Sequence, residues 1–414
     1  MGDPIQAAIL LSLAALSLVA AVYFGVILQR MVSARRWLPT LATAAREQGP
    51  SGNTTQPESQ SVCVIIPAHN EASVIAEAVR TVLAQEVDDL RLVLVLDRCT
   101  DDTRAFAEAA AAGDPRLEII ENDNCPEGWT GKNNALRRGA EESRGASDAD
   151  RLLFIDADVI LEPGAISAAI HLADQRDLDL LSLMTTLTCD RWFERIVQPA
   201  SCFELGRLFP LDRVNRDTEQ RALANGQFML FRKAAYDAIE GHHRVKHELL
   251  EDIAFARLMR TKKVNRRFGC FLADGLVVCR MYRDWPTYQR GWKRIYTELL
   301  RRRVDRLRRA AWRVRLVDII SPIAAIAGAS LGAFALARGH WIGWIPAIVG
   351  AVALANYTIV MTLIYRAQRV PLVYLPLFPI GALITSLLLS RAAKDLRTGK
   401  AISWGGMSYA REAR

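Results

Sequence analysis

Leu152-Leu153-Phe154-Ile155-Asp156-Ala157-Asp158-Val159-Ile160 is the stretch whose reading decides the fold. Four apolar residues run directly into two carboxylates, the pattern of a strand buried on both faces that ends at a ligand site. Open α/β sheets hold their ligands outside the carboxyl ends of such strands. Side chains at i and i+2 of a strand point the same way. Extended geometry through Asp158 therefore turns both carboxylates to one spot, and small Ala157 leaves the approach open. A hard divalent cation, Mg²⁺ or Mn²⁺, carrying a diphosphate suits such a pair. Taken alone, the stretch reads equally well as a strand ending in a solvated acidic turn.

Outward from this strand, strand-like and helix-like segments alternate, the signature of a largely parallel sheet. Val62–Ile66 reads as a strand ended by Pro67, and Glu71–Ala84 as a helix with Asn70 as its N-cap. Leu92–Leu96 is a second strand ending at Asp97, Asp101 and Asp102 open a helix, and Leu117–Glu121 is a third strand. Gly128-Trp129-Thr130-Gly131-Lys132 precedes a helix from Asn133. Its glycines permit close backbone approach and its lysine can meet a phosphate. The spacing is not that of a P-loop, and no G-x-G-x-x-G follows the first strand. Read by itself, this is a glycine turn with a surface lysine. Downstream, Leu178–Thr186 and Leu276–Tyr282 read as strands, and Trp192–Phe209 as a helix. Asn225–Phe231 is a polar turn entering a strand, and Asp252 starts a helix to Met259.

The chain has 414 residues, 51% of them apolar, but the apolar residues are unevenly spread. Ile5–Leu28, Ile319–Leu336, Trp341–Ile364 and Pro371–Leu389 are nearly uncharged and each approaches the ~18 residues that span a bilayer. The first is too long, and too poor in preceding basic residues, for a simple cleaved signal peptide. The net charge is +8, with a dense basic run at Arg301–Arg315 next to an apolar segment. That position suits anionic lipid headgroups rather than nucleic acid. Arg30, Arg35 and Arg36 likewise follow the first span, so the positive-inside rule places the region between the spans in the cytoplasm, at the cell membrane. The seven cysteines show no C-x-x-C spacing and should stay reduced there. The expected organisation is an anchor at 5–28, a linker at 49–60, a soluble α/β domain at 61–284 and an amphipathic, aromatic, basic interfacial helix region at 285–315. A membrane domain of two to three apolar segments (316–390) and a tail (391–414) follow. Three full C-terminal crossings would leave Arg391, Lys394, Arg397 and Lys400 outside, against the charge rule. Pro371, Pro376 and Pro379 therefore mark the last segment as re-entrant or interfacial.

Val64-Ile65-Ile66-Pro67-Ala68-His69-Asn70-Glu71, the Asp97 strand end, Asp156-Ala157-Asp158 and Glu251-Asp252 occur in one order. That order resembles the family 2 glycosyltransferases with the GT-A fold, over roughly Val62–Glu298. The Gly-Trp-Thr-Gly-Lys turn, with Leu272-Ala273-Asp274-Gly275-Leu276 and Arg280-Met281-Tyr282-Arg283, is similar to a membrane-bound branch that includes hopanoid-associated and carotenoid glycosyltransferases. The resemblance implies a hexosyltransferase-type enzyme that binds a nucleoside-diphosphate sugar, with a UDP-sugar favoured, and Mg²⁺ or Mn²⁺. Pro67, Asn70, Glu71, Asp97, Lys132, Asp156 and Asp158 would face the donor. Asp156 and Asp158 match the D-x-D that meets the ribose and the metal, and Asp252 matches the base that deprotonates an acceptor hydroxyl in a single inverting displacement. Glu251, Gln289, Arg290, Trp292 and Arg294 would face the acceptor and diphosphate. Leu96 stands where many members have an aspartate, and Gln289-Arg290-Gly291-Trp292 departs from the Q-x-x-R-W order of processive synthases. Near its C-terminal end the chain has Trp404-Gly405-Gly406-Met407-Ser408-Tyr409 where the lipid branch often has Trp-Lys-Gly-Arg-x-Tyr. These features favour transfer of one sugar to a lipid, with a processive polysaccharide synthase as the alternative.

A different chemistry competes for the second acidic site. His243, His247 and Glu251 at i, i+4 and i+8 would share one helical face and suit zinc, with Glu248 as base, in a membrane metallohydrolase. The motif is neither H-E-x-x-H nor H-x-x-E-H. His69 reads as a turn residue, and Trp285 and Trp292 equally as interface anchors or acceptor contacts.

Overall fold

The structure, a computed structural model, describes residues 4–48, 60–216, 218–219, 221–404 and 407–409. Of the expected linker only Gln60 falls among them, and Gly405 and Gly406 also lie outside. The chain opens with α1 (Pro4–Ala34) and α2 (Leu41–Gln48). There follow β1 (Val62–Ala68), α3 (Ile75–Leu83), β2 (Leu90–Asp97), α4 (Thr103–Ala111), β3 (Leu117–Asn122), α5 (Gly131–Glu142), α6 (Arg144–Ser147) and β4 (Arg151–Ile155). Next come β5 (Val159–Leu161), α7 (Ala165–Gln175), β6 (Leu180–Met184), β7 (Thr186–Leu187), α8 (Trp192–Ile196), α9 (Gln198–Leu208) and α10 (Leu211–Val214). The soluble part closes with β8 (Phe228–Arg232), α11 (Lys233–Ala238), α12 (Glu251–Met259), β9 (Phe268–Leu272) and β10 (Val277–Cys279).

Seven strands form one sheet in the order β3-β2-β1-β4-β8-β6-β9, and β5-β10-β7 form a second. β3, β2, β1 and β4 pair in parallel; β1 and β4 are buried on both faces, as their apolar runs predict, whereas the edge strand β3 is only half-buried. β8 runs antiparallel to both β4 and β6. That reversal brings the residues just before β8, Asn225 and Gly226, to the edge where β1, β2 and β4 end.

Several local expectations are corrected. Pro67 does not end its strand: pairing of β1 with β4 stops at Ile65–Phe154, so a residue without an N–H is tolerated beyond that point. Asn70 caps no helix, since α3 begins at Ile75. Its backbone is left-handed (φ +57°), and its side-chain carbonyl accepts from Thr100 N at 2.8 Å, fixing the exit turn of β1. β4 stops at Ile155, where its β8 partner begins, and Asp156–Asp158 form a turn closed by Val159 N–H to the Asp156 carbonyl at 3.2 Å. The helix expected over Trp192–Phe209 divides at Val197, because Pro199 lacks the N–H that an unbroken helix needs and sits in the first turn of α9.

After the soluble part, α13 (Trp285–Leu299) and α14 (Val304–Arg313) are separated by Arg301 and Arg302, both with left-handed backbone. α14 continues through a π-helical stretch, Val314–Ile320, into α15 (Ser321–Ala337). Then come α16 (Trp344–Ala367), α17 (Phe378–Arg397) and a hairpin of β11 (Ile402–Trp404) and β12 (Met407–Tyr409). Among the described residues, Pro4–Ala34, Val304–Ala337, Trp341–Ala367 and Leu372–Arg397 are long and apolar enough to cross a membrane. Most of the basic run, from Val304 on, thus opens a long helix. The aromatic residues of α13 pack largely inward. Tyr288, Trp292 and Tyr296 are buried, with Tyr288 Oη donating to Ser201 Oγ (2.9 Å) and Tyr296 Oη to the Ser201 carbonyl (3.2 Å) of α9. Trp and Tyr beside basic residues mark a packed helix here as readily as an interface.

α1, α15 and α16 pack on one another, whereas α17 packs chiefly on α14, α13 and α9. Small residues allow the close approach of α15 to α16. A Cβ at Gly350 would lie 2.6 Å from the Ala325 carbonyl oxygen, which belongs to the rigid backbone of α15. Gly350→Leu should therefore force these helices apart at a cost of about 1–3 kcal/mol. Thermal unfolding of the full chain in detergent checks this, and an unchanged midpoint contradicts it.

Candidate active site

A cavity of about 2070 Å³ opens at the carboxyl edge of β1, β2 and β4. Pro67, Asn70 and Glu71 reach it from the end of β1, Asp97 from β2, and Asp156 and Asp158 from the turn after β4. Lys132 enters from α5, Glu251 and Asp252 from α12, and Arg290, Trp292 and Arg294 from α13. Gln289 does not line it. The lining positions of α13 are Thr287, Arg290, Gly291, Trp292, Arg294, Ile295 and Leu299, an arc of roughly 200° around the helix, and Gln289 falls outside that arc.

Local structure explains the convergence. Thr130 caps α5 by accepting from Asn133 N at 3.3 Å, and its own N–H donates to the Lys246 carbonyl at 2.8 Å. Asn133 Nδ2 donates to the Val245 carbonyl at 2.7 Å. The first turn of α5 thus holds the segment leading to Glu251 against itself, and Lys132 sits in that turn. Its ammonium lies 2.7 Å from Asp156 Oδ1 and 2.8 Å from Glu251 Oε1, with the side chain 14% exposed. It is not a surface lysine. Burial disfavours its charge, but the two carboxylates outweigh burial and hold it protonated.

Asp252 accepts from Gly226 N (2.9 Å) and Ile253 N (2.7 Å). Burial and the neighbouring Glu251 push its carboxyl up to about 7, against the opposing pull of Lys132 and the two N–H donors. Asp158 is likewise raised to about 7, by burial and by Asp156 and Glu71, with the Cys279 thiol donating to it. Gly226 is fixed by closeness: a Cβ there would lie 2.8 Å from Glu251 Oε1 and 3.1 Å from Lys132 Nζ. At the far end, Asp97 accepts from Arg98 Nε (3.0 Å) and Nη2 (2.6 Å) and from Asn122 Nδ2 (2.7 Å). Glu71 is paired with Arg283 Nη2 at 2.6 Å, and burial raises its carboxyl.

The structure does not assemble the zinc site. His243 Nε2 lies 2.9 Å from Glu141, His247 faces Glu248 at the surface, and Glu251 is held by Lys132. The segment is a 3-10 turn, Gly241–Val245, followed by a break before α12, so no continuous helix stacks i, i+4 and i+8. Among the described residues no trio of His, Cys, Asp or Glu side chains is placed to hold a metal. A D-x-D pair fits a cation differently, because Mg²⁺ and Mn²⁺ take one or two carboxylates and complete their shell with phosphate oxygens and water. Asp158 Oδ1 is buried and finds no hydrogen-bond partner among the described residues, which leaves an oxygen ligand open.

Some residues at the site were not assigned a role from sequence. Arg280 and Arg283 line the cavity because β10 pairs with β5, and Arg280 N donates to the Asp158 carbonyl at 3.1 Å. Their basic character directly after a strand was the available signal. Gly226 was visible only as part of a polar turn and Tyr409 only as the last residue of the Trp404–Tyr409 stretch, and Cys279 carried no signal, since its partner is remote in sequence.

A family model described as "Glycosyltransferase like family 2" matches residues 57–273 of the 414. The chain is 24% identical over 238 residues to the 4,4'-diaponeurosporenoate glycosyltransferase of Staphylococcus aureus (strain MRSA252), covering 56% of this chain and 60% of that protein. It is 27% identical over 113 residues to the GalNAc(5)-diNAcBac-PP-undecaprenol beta-1,3-glucosyltransferase of Campylobacter jejuni, covering 27% of this chain and 34% of that protein. The match thus spans less than two thirds of either relative. Among solved structures, the mannosyltransferase PcManGT from Pyrobaculum calidifontis, in complex with GDP-Man and Mn²⁺, aligns with a TM-score of 0.49 at 16% identity. That alignment covers 94% of this chain and 98% of the other.

Removing the ammonium leaves buried Glu251 and half-buried Asp156 without it. Lys132→Met should cost about 3–5 kcal/mol at pH 8, and less at pH 5.5, where Asp156, its carboxyl already raised by burial, escapes by taking up a proton. Denaturant unfolding at the two pH values tests this, and a penalty that does not grow with pH contradicts it.

Proposed function

The chain belongs to the glycosyltransferase-like family 2, and from that premise we propose that it moves a single sugar from a nucleoside diphosphate to a hydroxyl of a lipid, with inversion, at the cytoplasmic face of the membrane. The observation that carries this reading is the continuity of the cavity. From Asp158 and Asp252 it runs along α1, past Met31, Val26 and Val22 to Leu18, with Leu363 and Ile364 of α16 also lining it. At 1.5 Å per residue, Leu18 to Met31 is roughly 20 Å of apolar wall leading away from the carboxylates. An acceptor with a long apolar body and a polar end fits that shape. The relatives' names, a diaponeurosporenoate and an undecaprenol-linked acceptor, support a lipid of this kind.

Asp252 is placed to take the proton of the acceptor hydroxyl as that oxygen bonds to the anomeric carbon and the bond to the diphosphate oxygen breaks. A carboxyl raised to about 7 by burial is a stronger base than a solvated one and still partly ionised at neutral pH. Lys132 and Arg294 put positive charge beside Asp156, where the diphosphate would depart. Asp156 and Asp158 would hold a divalent cation, whose chemistry is to neutralise charge on the leaving group. Gly226 leaves room for these groups to meet. α1, α15 and α16 cross the bilayer in this reading, and α17 stays on the catalytic side. Lys293 Nζ to Asp395 (2.6 Å) and the position of Tyr409 beside Gly131 support that arrangement. It puts Arg391, Lys394, Arg397 and Lys400 inside, as the charge rule asks.

Release of nucleoside diphosphate from UDP-sugars first, then other donors, with Mn²⁺ and a lipid extract, measures the reaction. Asp252→Asn should lower the rate by about 10²–10⁴. Because the base works only when ionised, wild-type kcat/KM should rise with pH through about 7 and level off above it. A variant with unchanged rate, or a flat profile, removes the assignment of Asp252.

A further inference from the structure

We propose that Tyr409, from the hairpin that follows α17, contacts the nucleoside of the donor, an inference that rests on the donor reading above. Tyr409 closes β12, where it pairs with Ile402, and lines the same cavity as Asp97, Lys132 and Asp158. Its hydroxyl accepts from the backbone N–H of Gly131, the first residue of α5, and it neighbours Asp97, Arg98 and Cys125. The ring is partly buried, which leaves surface to offer a ligand.

Two features make this the nucleoside end of the cavity. The diphosphate end is set by Lys132, Asp156 and Asp158. In the sheet order β2-β1-β4, the end of β2 at Asp97 lies two strand spacings from the end of β4, about 10 Å. That separation leaves room for a ribose and base extending from the diphosphate. Asp97 itself is tied to Arg98 and Asn122, so it forms a rigid polar wall. Gly131 keeps the space facing that wall open, since a Cβ there would lie 2.5 Å from Arg98 Nη2 and 2.8 Å from Asp97 Oδ2.

The aromatic side chains that line the cavity are otherwise placed elsewhere. Tyr23, Phe203 and Phe209 belong to the α1 and α9 side, and Tyr282 and Trp292 are buried in the aromatic cluster around α13. At the Asp97 end, besides His69, whose Nδ1 lies 2.6 Å from the Asp97 carbonyl oxygen, Tyr409 supplies an aromatic ring. A nucleobase has a π-face whatever its identity, and stacking on an aromatic ring is a common way to hold one. The segment that carries the ring is tethered, because α17 ends four residues before β11 and its Asp395 is paired with Lys293 of α13. The β11–β12 hairpin thereby becomes part of the donor pocket.

The test uses the full-length protein in detergent with Mn²⁺, titrated with UDP, GDP and ADP and separately with inorganic pyrophosphate. Tyr409→Ala should weaken the best-bound nucleoside diphosphate by about tenfold or more. Tyr409→Phe, which keeps the ring, should retain most of that affinity, and pyrophosphate should bind all three proteins alike. Equal nucleotide affinity in wild type and Tyr409→Ala overturns the inference and leaves the donor reading standing. A Phe variant as weak as the Ala variant, or a parallel loss of pyrophosphate, also overturns it. A wild-type chain that binds no nucleoside diphosphate overturns the donor reading and this inference together.

Discussion

The ammonium of Lys132 between Asp156 and Glu251 is the contact on which the rest of the site depends. Asp156, Asp158, Glu251 and Asp252 converge in a region shielded from water, and their mutual repulsion has to be offset there. Lys132 does this from the first turn of α5, while Gly226 gives the room. The arrangement also explains why the carboxylates are not all alike. Lys132 opposes the burial that raises Asp156, whereas Asp158 and Asp252 are pushed up to about 7. Those two are the groups best suited to meet a cation and a hydroxyl proton. The site is an acid-rich pocket held together by a single lysine bridge and completed by what it binds.

A second set of buried charges joins this domain to the membrane helices. Arg207 of α9 lies 3.1 Å from Glu204 and 2.5 Å from Asp318 in the π-helical stretch ahead of α15, and Arg313 also pairs with Glu204. Buried ion pairs add little net stability, but removing one partner is costly, so they fix geometry more than they strengthen it. Here they fix α9 against the helix that leads into α15. α9 also carries Ser201, which receives Tyr288 and Tyr296 of α13. The carboxylate end and the apolar end of the cavity are thereby held in one register.

Much of the fold was legible because apolar runs, turn residues and acidic strand ends report local rules. The parallel strands, the carboxylates at their ends and the helix starting near Asp252 follow from such rules, and ordered motifs pointed to the family. What escaped depends on distant partners. Pro67 sits within a strand because β4 stops short, and Lys132 is buried because α12 returns to it. The tyrosines and tryptophan of α13 fill a core because α9 and α17 lie over them. Gln289 was misplaced by motif order, where helical phase decides. The histidines at 243 and 247 had the spacing of a ligand set but not the continuous helix that would give that spacing meaning.

The central claim is that one cavity joins a nucleotide-sugar site to a lipid groove. It is tested most directly by following a labelled sugar from its nucleoside diphosphate in reconstituted membranes, using wild-type protein and a Val22→Trp variant that fills the groove. Label should appear in the lipid-extractable product with the wild type and be markedly lost with the variant, while nucleoside diphosphate binding is unchanged. Label transferred only to water-soluble acceptors, or lipid labelling untouched by the filled groove, would contradict it.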